Sequence, residues 1–338
     1  MNRTIIYILF LLPLAACHSI EDFDNTVEGN FDALWTMVDQ HYCFFDQKDV
    51  DWDECYTRYK ARLYDGMSSQ ALFSVCAEML DELQDGHVNL SSWFNTSYYT
   101  KWWSDYPQNY EARLIEEYYL NFNYRSLGAA KYAILPQNIG YINYSSFESS
   151  LGASNIDAML SYFSLCIGLI IDIRDNGGGE LTNSERLCRH FIPERTLAGY
   201  MINKTGPGHD DLSKPFEYYF DPIESPHIAW SKPVVILTNR STFSAANNFV
   251  SVMQYLPNVK IVGARTGGGS GIPLNMELPC GWGIRMSSVS VLDAKGISTE
   301  SGIDPTPGYA VDLDPVLALS GIDTILESAI SLLQSDWQ

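Results

Sequence analysis

Apolar and polar positions follow two rhythms along this chain, and the change between them divides it. From Phe31 to Leu83 the rhythm is helical. Leu34, Trp35 and Val38 form one stripe within 31–42, a second run covers 52–64, and Leu72, Val75, Cys76, Met79, Leu80 and Leu83 mark a third within 69–83. Asp85-Gly86 is a turn signal, after which His87-Val88-Asn89-Leu90 starts a short strand. Beyond Ala130, short β-branched runs take turns with helical stretches. Strands are expected at 139–144, 168–174, 234–237, 259–263 and 284–292, and helices at 156–163, 181–191, from 244 onward and at 324–333. Such alternation specifies an α/β core with helices packed on the sheet. The expected organisation is a small helical subdomain over 31–92, an aromatic-rich linking segment over 93–130 and the α/β core over 131–338. The tryptophans and tyrosines of 93–124 suit a packed connection, and also a wall that grips a substrate.

One junction stands out. The apolar run Val234-Val235-Ile236-Leu237 ends at Thr238-Asn239-Arg240-Ser241, and a helical pattern opens at Ser244 with Ala245, Phe249, Val252, Met253 and Leu256. Ser244 therefore sits where a strand's C-terminal end becomes a helix N-terminus. Unpaired backbone N–H groups and the positive end of the helix dipole converge at such a point, which suits a developing oxyanion. Taken alone, the same serine reads equally as a helix N-cap.

Composition narrows the function without naming it. The 338 residues are 46% hydrophobic, and 41 acidic against 21 basic side chains give a net charge of −20. That excess argues against nucleic acid and against electrostatic binding to anionic lipid. The N-terminus reads as a targeting segment over 1–17. Arg3 precedes a short apolar core over 5–12, and Leu14-Ala15-Ala16-Cys17 resembles a lipobox, in which the cysteine is lipidated. An acidic tether over 18–30 would follow, so the expected location is a bacterial cell envelope, with membrane contact only through the lipid on Cys17.

Six cysteines remain, with Cys43 and Cys55 the local candidates for a disulfide. No cysteine or histidine spacing matches a zinc site, and neither a metal nor a cofactor is expected. The glycine runs at 177–179 and 267–269 contain neither GxGxxG nor GxxxxGK[ST], so they specify no phosphate cradle. They do allow a backbone amide to come close to a ligand. Asp172 and Arg174 fall on one face of an expected buried strand, where structural ion pairing is the favoured reading.

Five motifs then follow in order: LQDGH at 83–87, IDIRDNGGG at 171–179, TNRSTFSAANNF at 238–249, VGARTGGGSG at 262–271 and ESGIDP at 300–305. Together they resemble the C-terminal-processing, or tail-specific, serine peptidase family, in its tricorn-core-like branch, over roughly 31–315. The resemblance implies a crotonase/ClpP-like ββα core behind a helical N-terminal subdomain, and a peptide or protein substrate hydrolysed through an acyl-enzyme. It implies Ser244 as nucleophile, His87 as general base and Glu300 as the group that positions the base. The oxyanion donors would be the backbone N–H groups of Ala245 and of Gly177 or Gly178.

Two departures qualify it. Many members use a Ser–Lys dyad, but the corresponding position here is Gly269, and Arg265 cannot act as a base at neutral pH. Only about 50 residues separate His87 from Ile139, too few for the PDZ domain that relatives often carry there. Two other readings stay open: a non-catalytic peptide- or hydrophobic-ligand-binding protein on the same fold, and an ester hydrolase using the same triad.

Overall fold

The computed structural model describes residues 23–335. Cys17 and the leader lie outside the described residues. Helix α1 (Val27–His41) starts where Thr26 Oγ1 accepts the Gly29 N–H at 3.0 Å. It therefore begins inside the stretch expected as a tether. The reason is tertiary: Asn30 is buried, and its Oδ1 accepts the N–H of Cys280 at 2.8 Å.

Helices α2 (Phe45–Lys48), α3 (Trp52–Lys60) and α4 (Ser69–Asp81) follow, the last two capped by Asp51 and Ser68. Their apolar faces share one cluster with Leu278, Trp282, Ile284 and Met286 from the C-terminal part of the chain. The helical unit expected over 31–92 thus packs its helices together and closes that core with a distant hairpin. Cys43 and Cys55 are both free thiols, as are the other four described cysteines.

The central sheet has six strands in the order β2 (Arg125–Leu127), β3 (Ala130–Leu135), β4 (Ile139–Tyr144), β5 (Leu169–Asp172), β8 (Val234–Thr238) and β9 (Val259–Gly263). The first two pairings are antiparallel; β4, β5, β8 and β9 run parallel. Because β2 pairs with β3, the boundary expected at residue 130 falls inside a hairpin. The parallel strands are apolar on both faces, as burial under two layers of helix requires. Ile142, Ile171 and Ile236 face α7 (Ala153–Tyr162), α8 (Leu181–Cys188) and α9 (Ala245–Met253). Tyr141, Ile170, Val235 and Leu237 alternate to the other face, under α11 (Thr324–Gln334).

That second face also receives the aromatic segment. After α5 (Lys101–Ser104), the short α6 (Ala112–Leu114) runs into a π-helical turn over Ile115–Tyr119, and Leu114, Ile115 and Leu120 join the cluster. A further short helix, α10 (Pro315–Ala318), precedes α11. The pair expected between Asp172 and Arg174 is present and gains a third member, since Arg174 also bonds Asp323 at the N-cap of α11.

A second, antiparallel sheet was only partly legible. β11 (Gly283–Leu292) pairs with β1 (Asn89–Ser91), β10 (Gly271–Glu277) and β6 (Thr196–Asn203), and β6 pairs with β7 (Phe216–Phe220). Strands β6, β7 and β10 carry mixed, half-exposed side chains, so no sharp alternation announces them. The β1–β11 pairing ties the turn that carries His87 to the C-terminal half of the chain.

Candidate active site

Buried strand β8 delivers the chain to a turn held almost entirely by its own polar residues. Asn239 Oδ1 accepts the N–H groups of Asp175 and Ser241 at 3.0 and 3.1 Å, and the Thr242 hydroxyl donates to Ile173 O at 3.0 Å. Next, Phe243 N–H donates to Asn176 O at 3.0 Å and Ser244 N–H to Gly268 O at 2.9 Å. Ser244 is thereby fixed between the two glycine loops. Its φ of 55° and ψ of −121° are strained for a residue with a Cβ, and its side chain makes no capping bond. A sharp strand-to-helix turn of this kind presents a hydroxyl outward instead of folding it back as a cap.

The first glycine loop lies directly against this turn. A Cβ on Gly178 would stand 2.7 Å from Phe243 O and Ser244 Cβ and 2.9 Å from Ala245 N. Only glycine fits there, and its φ of 98° demands glycine as well. Among the expected oxyanion donors the three amides differ. Gly178 N–H is engaged by Asn176 Oδ1 at 3.0 Å. Ala245 N–H, first in α9, has no intrahelical acceptor. Exposed Gly177 likewise donates to no group among the described residues.

His87 comes from the turn after α4. Its Nε2 lies 3.0 Å from Ser244 Oγ, across 157 positions of sequence. The ring rests on Phe243 at 4.7 Å, and Phe243 in turn stacks on Trp102 at 4.1 Å. His87 is only 2% exposed. Burial pushes its imidazole down to about 4; nearby Asp85 opposes this, while Arg285 and Lys48 add to it. Its Nδ1 is buried and makes no hydrogen bond. The other described histidines with assigned partners point elsewhere: His190 to Ile228 O, His209 to Asp39 and His227 to Asp157.

Glu300 is near this pair but is not bonded to it. Its Oε2 accepts Ser270 N–H at 2.7 Å, and its Oε1 faces Lys48 Nζ at 3.1 Å. Burial, with Asp85 adding to it, pushes the Glu300 carboxyl up to about 7 against the pull of Lys48. The carboxylate in direct contact with the histidine segment is one that sequence reasoning passed over. Buried Asp85 accepts His87 N–H at 2.7 Å, the Tyr42 hydroxyl at 3.1 Å and the Ser287 hydroxyl at 2.9 Å. Its place in the LQDGH motif was the available signal. Its partners, one on α1's C-terminal side and one on β11, were not readable locally.

Ser244 opens into a cavity of about 300 Å³ whose wall includes Asn247, Gly269, Ile272 and Arg285. The stacked Trp102 and Phe243 line a second cavity of about 720 Å³, together with Lys48, Glu300 and Arg240. Gly267 and Gly86 let Trp102 seat closely, which gives the aromatic segment a concrete place beside the site.

Known proteins with related sequences share this arrangement of elements. Residues 138–307 match peptidase family S41, and residues 23–81 match the tricorn protease C1 domain. The chloroplastic C-terminal processing peptidase of Tetradesmus obliquus is 26% identical over 211 residues, 62% of this chain. The match spans only 40% of that longer relative. A crystal structure from Parabacteroides merdae, assigned as a peptidase, is 45% identical, with a TM-score of 0.87 over 92% of this chain and 98% of that one. Mature CPAF shares the fold, with a TM-score of 0.72 at 12% identity over 92% of this chain and 99% of its own. The motif order, the mixed α/β architecture and a family match across half the chain together mean that this protein belongs to the S41 family of serine-type peptidases.

Proposed function

We propose that the protein hydrolyses peptide bonds with Ser244 as nucleophile and His87 as general base, on a crotonase/ClpP-like ββα core. The observation that carries this reading is the 3.0 Å approach of His87 Nε2 to the hydroxyl of a strained serine at a helix N-terminus. Neutral His87 would take the Ser244 proton as Oγ attacks the carbonyl carbon, then give it to the leaving amine. Water would repeat the sequence on the acyl-enzyme. The Ala245 and Gly177 N–H groups are the free donors for the tetrahedral oxyanion, with the α9 dipole behind them. Gly178 would join them only by releasing Asn176 Oδ1.

Asp85 and Glu300 would stabilise the imidazolium through the field, because neither meets Nδ1 directly. Labelling with a fluorophosphonate probe, followed by mapping of the modified residue, tests the reading. Modification at Ser244 supports it; a protein that stays unlabelled, or is labelled elsewhere, removes it.

The pH profile follows from the two shifted groups. The main acid limb of kcat/KM should lie well below the ordinary histidine range, at about 4, where buried His87 gains its proton. A second, smaller rise is expected near 7, where Glu300 ionises and begins to favour the imidazolium. Glu300→Gln should remove the upper step and leave the lower one. For stability the signs oppose. Depressed His87 contributes stability that is lost as pH falls from 6.5 toward 4; raised Glu300 contributes stability that is full below 4.5 and lost as pH rises through about 7. A kcat/KM profile whose whole acid limb lies at or above 6.5, with no fall near 4, would contradict the buried-base reading.

We propose in addition that Cys17 is lipidated and holds the protein at the cell envelope, a reading supported by Leu14-Ala15-Ala16-Cys17 behind a short apolar core. Wild-type protein should fractionate with membranes and carry the lipid mass on its N-terminal peptide. Cys17→Ala protein should be released; its retention in membranes would count against the anchor.

A further inference from the structure

We propose that Arg285 forms an anion-binding subsite in the Ser244 cavity and selects peptides that present a carboxylate beside the scissile bond. The inference rests on the peptidase reading of that cavity. Arg285 lies on β11, where side chains alternate. Ile284 and Met286 are buried in the helical cluster. Ser287, on the opposite face, reaches Asp85, and Arg285 and Val291 line the cavity that holds Ser244. Arg285 and Ser287, two residues apart, therefore share a face that serves both the substrate space and the histidine turn.

What marks Arg285 is its lack of a partner. It is half-buried, and its backbone is paired in the sheet, yet among the described residues its guanidinium makes no hydrogen bond and no ion pair. Other shielded arginines are satisfied: Arg174 by two carboxylates, Arg186 by Ser150 and Asn183, Arg240 by the carbonyls of Trp102 and Thr266. In a chain with 41 acidic against 21 basic residues, an unneutralised guanidinium in this position is not for want of carboxylates. The other charged side chain on the wall, Glu180, is exposed at the start of α8 and forms no ion pair with it. Arg285 is also close enough to oppose the charging of His87. A guanidinium presents a planar fork that a carboxylate fills bidentately, and partial burial strengthens the pairing. The 300 Å³ cavity has room for such a group, and Ile272, Pro273 and Val291 add apolar surface to its wall.

The carboxylate could come from an aspartate or glutamate side chain or from a peptide C-terminus. Matched quenched peptides separate the two sources. One set varies Glu, Gln and Lys at each position flanking the cleaved bond; the other compares free-acid with amidated C-termini. Purified protein should prefer the carboxylate in one set by about 10- to 100-fold in kcat/KM, carried mainly by KM. In Arg285→Gln that ratio should collapse toward one, in Arg285→Lys part of it should survive, and in Arg285→Glu the side-chain preference should turn toward Lys.

Each ratio compares two peptides on one protein, so a change in His87 basicity cancels. Calorimetric binding of the same peptides to Ser244→Ala reads the subsite without turnover. If Ser244→Ala binds carboxylate peptides selectively while wild type cleaves nothing, the subsite stands and the peptidase reading falls. Wild-type rates within threefold across both peptide sets, or a preference undiminished in Arg285→Gln, would overturn the proposal.

Discussion

Ser244→Ala should abolish turnover while leaving the fold and the melting temperature nearly unchanged. Removing the nucleophile from a unit of this type costs roughly 10⁶ in kcat, whereas a lost N-cap costs about 0.5–2 kcal/mol of stability. Ser244 makes no capping bond, so little stability is at stake. His87→Ala should lose nearly as much activity, and the double variant should be little worse than either, because in the proposed mechanism the two side chains act on one proton. Glu300→Gln should cost far less. Its carboxyl is held by Ser270 N–H and Lys48, and no hydrogen bond joins it to His87. Single-turnover measurements on the three variants decide the matter. Activity near wild type in His87→Ala would remove the base assignment even if Ser244 proved essential.

Arg174→Met should be the most destabilising single change away from the site, by about 3–5 kcal/mol in denaturant unfolding. Arg174 is fully buried between two carboxylates, 2.6 Å from Asp172 Oδ2 and 2.9 Å from Asp323 Oδ2. Tyr141 donates to Asp172 at 2.8 Å, and Asp323 Oδ1 caps α11 through Ile325 and Leu326 N–H. Methionine fills much of the volume but leaves two acceptors and their charge without a counter-ion. Arg174→Lys keeps the charge, loses the forked geometry and should fall between. A loss below about 1 kcal/mol for Arg174→Met would show that the carboxylates are neutralised some other way.

Activity bears on this as well. Arg174 ends the segment that feeds the 175–179 loop, so partial unfolding there should loosen the wall against which Ser244 rests. A variant that unfolds at lower denaturant yet keeps wild-type kcat in its absence would separate the two roles.

The elements were legible wherever a few consecutive residues carried the instruction. Strands β4 and β9 run over the expected residues, and α4 and α11 begin at the expected ones. Periodicity of apolar side chains and local caps suffice for such elements, since each depends on neighbours within a turn or two. The strand-to-helix junction at Ser244 was equally local, as was the glycine demand of the 177–179 loop. Strands β6, β7 and β10 were not, because their side chains are half-exposed and their pairing lies far off in sequence.

Tertiary structure alone decided which side chains meet. His87 and Ser244 are 157 positions apart, and their 3.0 Å contact depends on the β1–β11 pairing and on two glycine loops closing around one turn. The same closure put Glu300 on Lys48 and Ser270, gave Asp85 its three donors and left Arg285 facing the cavity without a partner. Sequence spacing carries the period of a helix or strand, but not the register in which distant strands pair, and register is what determines the neighbours of a buried charge.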